Sequence, residues 1–193
     1  MIAMDIYELS NVGTQEAFWW WLLFPLVGIF AAFWSSDKIG LAVLGMGGAG
    51  KTTFYNYLRD KPVSGVYEQT TRIEYNKFSI ELQDGKKITI KKGQDISGEE
   101  DFVQPYYESM MKDADIVLFF FDAYEYLHKE QNKNYDRETN ARIDFIYEKK
   151  RDGLYIILTH ADKFYDKRKK ALEDIRNKIK NQPYYDFFLN PQK

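Results

Sequence analysis

The longest uncharged apolar run in the chain covers residues 17–34 (AFWWWLLFPLVGIFAAFW) and leaves no polar face at helical spacing. As a helix it would rise about 1.5 Å per residue, about 27 Å in all, close to a bilayer core of ~30 Å. Trp19, Trp20 and Trp21 mark one end and Trp34 the other, where interfacial aromatics belong. Pro25 and Gly28 are tolerated in spanning helices. The pattern predicts one transmembrane helix over 17–34, with a short extracytoplasmic tail over 1–16. A cleaved leader fits poorly, because residues 1–16 carry Asp5, Glu8 and Glu16 but no Lys or Arg. A surface-lying helix would need a polar face. A buried core helix is the remaining alternative, since the run is near the lower length limit for a span.

Beyond this run the periodicity changes to short elements. Residues 39–44 (IGLAVL), 116–121 (IVLFFF) and 154–158 (LYIIL) are continuous apolar stretches of the length and kind expected for buried parallel strands. Residues 73–82 and 87–90, joined through Asp84-Gly85, predict a hairpin. Helical spacing appears over 53–59, where Phe54 and Leu58 lie one turn apart, and over 136–150, where Ile143, Ile146 and Tyr147 form a stripe. A helix over 163–180 and a last strand over 185–189 complete an α/β reading of residues 35–193.

Composition narrows the chemistry. The formal charge is −2 with no basic excess, which argues against nucleic acid as a partner. Cysteine is absent, so disulfides and thiolate metal sites are excluded, and with only His128 and His160 an all-protein zinc site is improbable.

The most specific signal is Gly45-Met46-Gly47-Gly48-Ala49-Gly50-Lys51-Thr52, which satisfies G-x-x-x-x-G-K-[ST] between a strand pattern and a helix pattern. Phosphates must approach consecutive backbone N–H groups, and side chains at Gly45, Gly48 and Gly50 would block that approach or the turn. The helix N-terminus, with Thr53 following the motif, adds its positive dipole end. Lys51 would place a cation between β and γ phosphates, and the Thr52 hydroxyl would ligate Mg²⁺.

Three weaker signals follow in order. Asp95-Ile96-Ser97-Gly98 fits D-x-x-G, in which the carboxylate holds Mg²⁺ and the glycine N–H meets the γ-phosphate. Thr70 and Thr71 precede the hairpin, where a hydroxyl would close over metal and γ-phosphate, although two threonines in a polar loop are also unremarkable. Thr159-His160-Ala161-Asp162 follows an apolar strand. A carboxylate there accepts from guanine N1–H and the exocyclic amine, a donor pair adenine lacks on that edge. The alternative for Asp162 is an N-cap of the following helix.

The ordered set GMGGAGKT, TT, DISG and THAD resembles the small GTPases of the Ras superfamily over about residues 39–162. Within that superfamily it is most similar to the Arf branch and, because of the preceding apolar run, to the β subunits of the signal-recognition-particle receptor. The stretch GQDISGEEDFVQPYYESMMKDADIVLFFFDA is similar to the Arf-type run from switch II into the next strand. The resemblance implies a three-layer P-loop GTPase fold with a mainly parallel six-stranded sheet and binding of GTP or GDP with Mg²⁺. Switch I would lie around Thr70–Thr71 and switch II over 95–111. The implied nucleotide contacts are Gly45, Gly47, Gly48, Ala49, Gly50, Lys51, Thr52, Thr53, Thr70, Gly98, Thr159, His160 and Asp162. The implied Mg²⁺ ligands are Thr52, Thr71 and Asp95, and the implied catalytic positions are Lys51, Thr71, Gly98 and Glu99.

The chain departs from this family in instructive places. Thr159 and His160 stand where Asn and Lys are usual in N-K-x-D. Glu99 stands where a water-positioning Gln is usual, and an ionised carboxylate both repels the γ-phosphate and lacks a proton to donate. Slow intrinsic hydrolysis is therefore expected, with Gly47 leaving room for a partner's arginine and Arg72 a weaker internal candidate. No S-A-K motif occurs, Asn190-Pro191 standing near its place, and the usual final helix is missing, so that either the chain is a truncated product or a partner covers the exposed sheet face. Three functions are then in contention. The first is a membrane-anchored GTP/GDP switch on the cytosolic face that recruits a protein effector through its switch regions, where Tyr106, Tyr107, Met110 and Met111 are either partner surface or core. The second is a non-hydrolysing nucleotide-bound scaffold subunit, and the third a P-loop ATPase.

Overall fold

In the computed structural model, which describes residues 38–59, 61, 72–81, 87–90, 93–96 and 103–189, strands and helices alternate in an α/β arrangement. The chain enters through β1 (Lys38–Ile39) and β2 (Leu41–Gly45), interrupted only at Gly40, and passes into α1 (Lys51–Leu58). Four short strands follow: β3 (Arg72–Tyr75), β4 (Phe78–Glu81), β5 (Lys87–Ile90) and β6 (Gly93–Ile96). Then come α2 (Val103–Lys112), β7 (Ile116–Asp122), α3 (Ala123–His128), α4 (Tyr135–Lys149) and β8 (Leu154–Thr159). A 3-10 helix (Ala161–Lys167), α5 (Arg168–Ile179) and α6 (Tyr185–Leu189) close the described part.

The centre is the parallel ladder β2-β7-β8. Leu41 lies opposite Ile116 and Gly45 opposite Phe120, while Val117 faces Leu154 and Asp122 faces Thr159. All seven residues of β7 are buried, which is why its sequence is continuously apolar up to Asp122 rather than alternating. Removing each such Phe or Leu from water is worth about 1.5–3 kcal/mol. Phe54 from α1 packs on Phe120, Tyr126 from α3 packs on Phe121, and Ile143 and Ile146 bring the predicted stripe of α4 into the same core.

A second ladder, β1-β5-β4, joins β1 to β5 in parallel and β5 to β4 antiparallel. β3 and β6 pair antiparallel, with Ile73 opposite Asp95, and β6 packs beside β2. Because β1 and β2 are one path broken at Gly40, the ladders meet along that path. The predicted hairpin is thus present but interrupted at Asn76-Lys77, and its return strand is extended by the unforeseen β6.

Several expectations need correction. The described strands form ladders of three, three and two strands and not one six-stranded sheet. Residues 185–189, expected as a last strand, are helical: Tyr184, Phe187 and Phe188 recur at i, i+3 and i+4, and all three face the core. Local bonds from Tyr185 N to Gln182 O and Phe188 N to Tyr184 O close the turn. The helix expected over 163–180 is divided into a 3-10 segment and α5. Among the described residues no helix is long and apolar enough to cross a membrane, and the run 17–34 lies outside them.

Candidate functional site

The parallel strands β2, β7 and β8 run side by side, and the glycine loop and Thr159–Asp162 follow the carboxyl ends of β2 and β8, where α/β folds bind ligands. β2 gives way to the loop at Gly45. That residue has φ 141°, and a Cβ on it would come within 2.0 Å of the Phe120 carbonyl oxygen in the neighbouring strand. Met46 N then donates to the same Phe120 oxygen at 2.9 Å, tying the loop to β7 as it leaves the sheet. Gly50 has φ 80° and caps α1, although a Cβ there would meet nothing within 4 Å. Conformation dictates glycine at Gly50, and conformation and space together dictate it at Gly45.

Lys51, the first residue of α1, is only 6% exposed, and its Nζ donates to the Met46 carbonyl oxygen at 2.8 Å. The ammonium is thereby folded back along the loop. Ala49 is buried, Gly48 is exposed, and Gly47, Thr52 and Thr53 are half-buried. The loop is thus a backbone-lined turn at a helix N-terminus with a cation held beside it, which fits an anionic phosphate chain.

A hydroxyl that sequence reasoning left ambiguous supports the loop from below. Tyr107 of α2 is buried, and its Oη accepts from Gly45 N at 3.2 Å and lies 3.4 Å from Gly45 O. Burial pushes this hydroxyl above its usual range, partly offset by the nearby Arg142 charge. Met111 is buried as well, so of the four candidate surface residues these two are core, while Tyr106 and Met110 are half-buried. Tyr107→Phe is expected to cost about 1–2 kcal/mol, the loss of one buried hydrogen-bonding group, read as a lower denaturant midpoint at unchanged m-value.

Thr159 ends β8 and is buried, its Oγ1 donating to Phe121 O at 3.1 Å. His160 follows in the left-handed region at φ 55° and precedes the 3-10 helix without a capping side-chain bond. Asp162 is exposed in the first turn of that helix and caps neither it nor α5, whose N-cap is Lys167. The capping alternative for Asp162 is therefore removed. The His160 ring is held by Asp122, with Nδ1 3.0 Å from Oδ2.

Asp122 is the functional candidate that sequence reasoning missed. It ends β7, and its Oδ1 accepts from Tyr124 N at 2.8 Å and Glu125 N at 2.9 Å, capping α3. The signal was present as Asp122-x-x-Glu125 immediately after an apolar run, the spacing of a capping box. Here, however, Glu125 reaches forward and its Oε1 accepts from Gln131 N and Asn132 N, both at 2.7 Å.

The metal candidates are partly placed. Thr52 lies in the first turn of α1, and Asp95 is the penultimate residue of β6, which runs beside β2 toward the same end. No group of three or more His, Asp or Glu among the described residues forms a metal site alone. Thr70, Thr71, Gly98 and Glu99 lie outside the described residues. Compared with protein-family models the chain matches none, and the curated proteins give no match either.

Proposed function

We propose that this chain is a guanine-nucleotide-binding protein of the P-loop class, held at a membrane by residues 17–34 with residues 35–193 on the cytosolic side. On this reading β3–β4, β5–β6, β1–β2, β7 and β8 are five strands of the doubly wound sheet that the Ras-superfamily resemblance implies. The observation that carries the reading is the position of two motifs at one edge. The glycine loop with buried Lys51 leaves β2, and Thr159–Asp162 leaves β8, in the same parallel ladder. GTP and Mg²⁺ would order the segments around Thr70–Thr71 and Gly98–Glu99, creating a surface for a protein partner, and slow or partner-assisted hydrolysis would release it.

Glu99 favours a second reading, a subunit that retains its nucleotide without turnover. Single-turnover hydrolysis of labelled GTP, with and without cell extract, separates the two. Turnover in either arm supports the switch, and none in both supports the scaffold.

The base assignment is tested by nucleotide competition on the full-length protein in detergent. Wild type is expected to prefer GTP over ATP by about 100-fold or more, because the adenine edge leaves a carboxylate facing an acceptor. Asp162→Asn is expected to lose that preference and gain affinity for xanthosine triphosphate, since the amide replaces an acceptor by a donor. Equal affinity for ATP and GTP in wild type would return the chain to the P-loop ATPase alternative.

A further inference from the structure

Two residues of the base loop grip one carboxylate that belongs to a different strand. His160 Nδ1 lies 3.0 Å and Lys163 Nζ 3.4 Å from Asp122 Oδ2. In a 3-10 helix there are three residues per turn, so positions 160 and 163 share a face while 162 projects elsewhere. That is the observed arrangement, with His160 and Lys163 turned to Asp122 and Asp162 exposed. The grip is reinforced by Lys163 N donating to His160 O at 3.2 Å, and by Thr159 Oγ1 on Phe121 O at the loop's root.

Asp122 is suited to be the fixed end of this tether. Its side chain is 13% exposed, its other oxygen is committed to Tyr124 N and Glu125 N, and its own N–H donates to the buried Tyr135 hydroxyl at 2.8 Å. A carboxylate with one oxygen locked on a helix N-terminus has little freedom, so whatever binds the other oxygen inherits its position. The tether also offsets the strain at His160, whose φ of 55° is a conformation non-glycine residues adopt at a cost.

We propose that Asp122 is a positioning residue for purine recognition, acting through His160 and Lys163 to place the Asp162 carboxylate against the guanine edge. This rests on the guanine reading above. Asp122 itself touches no base. Its charge holds the turn in which His160 and Thr159 stand in for the usual Lys and Asn, so the departure from N-K-x-D is compensated from β7.

The test compares guanosine with inosine triphosphate, which lacks the 2-amino group and so forfeits one of the two bonds to Asp162. The phosphates are identical, so a loss of folding or of phosphate binding lowers both affinities and leaves their ratio unchanged. In the full-length protein in detergent, wild type is expected to prefer the guanosine nucleotide by about 10–100-fold. Asp122→Asn keeps an Oδ1 able to cap α3, since Asn is as good a cap as Asp, but presents an amide to His160 and Lys163. It is expected to reduce the ratio about tenfold while the melting midpoint stays near that of wild type. His160→Gln removes the tether from its more exposed side and is expected to reduce the ratio similarly, which keeps the test decisive if Asp122→Asn fails to fold. A ratio within twofold of wild type in either folded variant overturns the positioning role. If Asp162→Asn collapses the ratio while both tether variants leave it intact, only the tether is wrong. If wild type shows no preference, the guanine reading falls with it.

Discussion

Gly45→Ala is expected to destabilise the protein by about 3–5 kcal/mol, a large share of the 5–15 kcal/mol that holds a typical domain folded. The added methyl would stand 2.0 Å from the Phe120 carbonyl oxygen and 2.7 Å from its nitrogen, both main-chain atoms of the central strand. Neither can rotate away, as the far end of a side chain could, so the β2–β7 ladder itself would have to part. The φ of 141° adds a backbone cost to the clash. Gly50→Ala is the internal control. It meets nothing within 4 Å and should lose only the strain of φ 80°, about 1–2 kcal/mol. Urea denaturation of both variants beside wild type checks the difference, and equal midpoints would mean that the strand pairing at Gly45 is wrong.

On the proposed nucleotide-binding reading, Lys51→Met is expected to weaken triphosphate binding at least about 100-fold, or about 2.7 kcal/mol. The thioether keeps most of the buried stem but removes the ammonium now bonded to Met46 O at 2.8 Å. A charge-assisted hydrogen bond in a partly dry site is worth about 1.5–3 kcal/mol, and the long-range attraction to a polyanion adds to it. The fold should tolerate the change better than binding does, because the Met46 carbonyl can turn to water. Titration with a fluorescent GTP analogue in magnesium buffer measures the loss. Unchanged affinity would remove the glycine loop from the site.

The sequence foretold the central ladder and the loop because both leave unambiguous physical marks. Six consecutive buried positions, Ile116 to Phe121, demand a continuous apolar run in β7, and a left-handed turn beside a neighbouring strand demands glycine at Gly45. The face of α4 was legible for the same reason, since Ile143 and Ile146 are buried where the 3.6-residue period puts them. What stayed hidden depended on contacts between distant residues. The turn after Thr159 into a 3-10 helix brings His160 and Lys163 to Asp122, on another strand, and no local pattern announces that contact. Residues 185–189 have the aromatic content of a strand, and only the burial of Tyr184 against α4, its hydroxyl donating to Asn140 Oδ1 at 2.8 Å, selects the helix. The interruption at Asn76-Lys77 likewise reflects where β4 and β3 find different partners.

The same pairing that builds the loop's floor constrains how the chain acquires it. Gly40 N bonds Asp115 Oδ2 across a separation of 75 residues, and β2 has no parallel neighbour in the central ladder until β7 arrives. Closing so long a span must be paid in chain entropy before any contact rewards it, so such topologies assemble late and slowly. At a translation rate of about 5–20 residues per second, the segment from Leu41 to Gly45 leaves the ribosome several seconds before its partner strand is available. A nascent chain therefore completes the β2–β7 ladder, and with it the bond that ties Met46 N to Phe120 O, only once β7 has emerged.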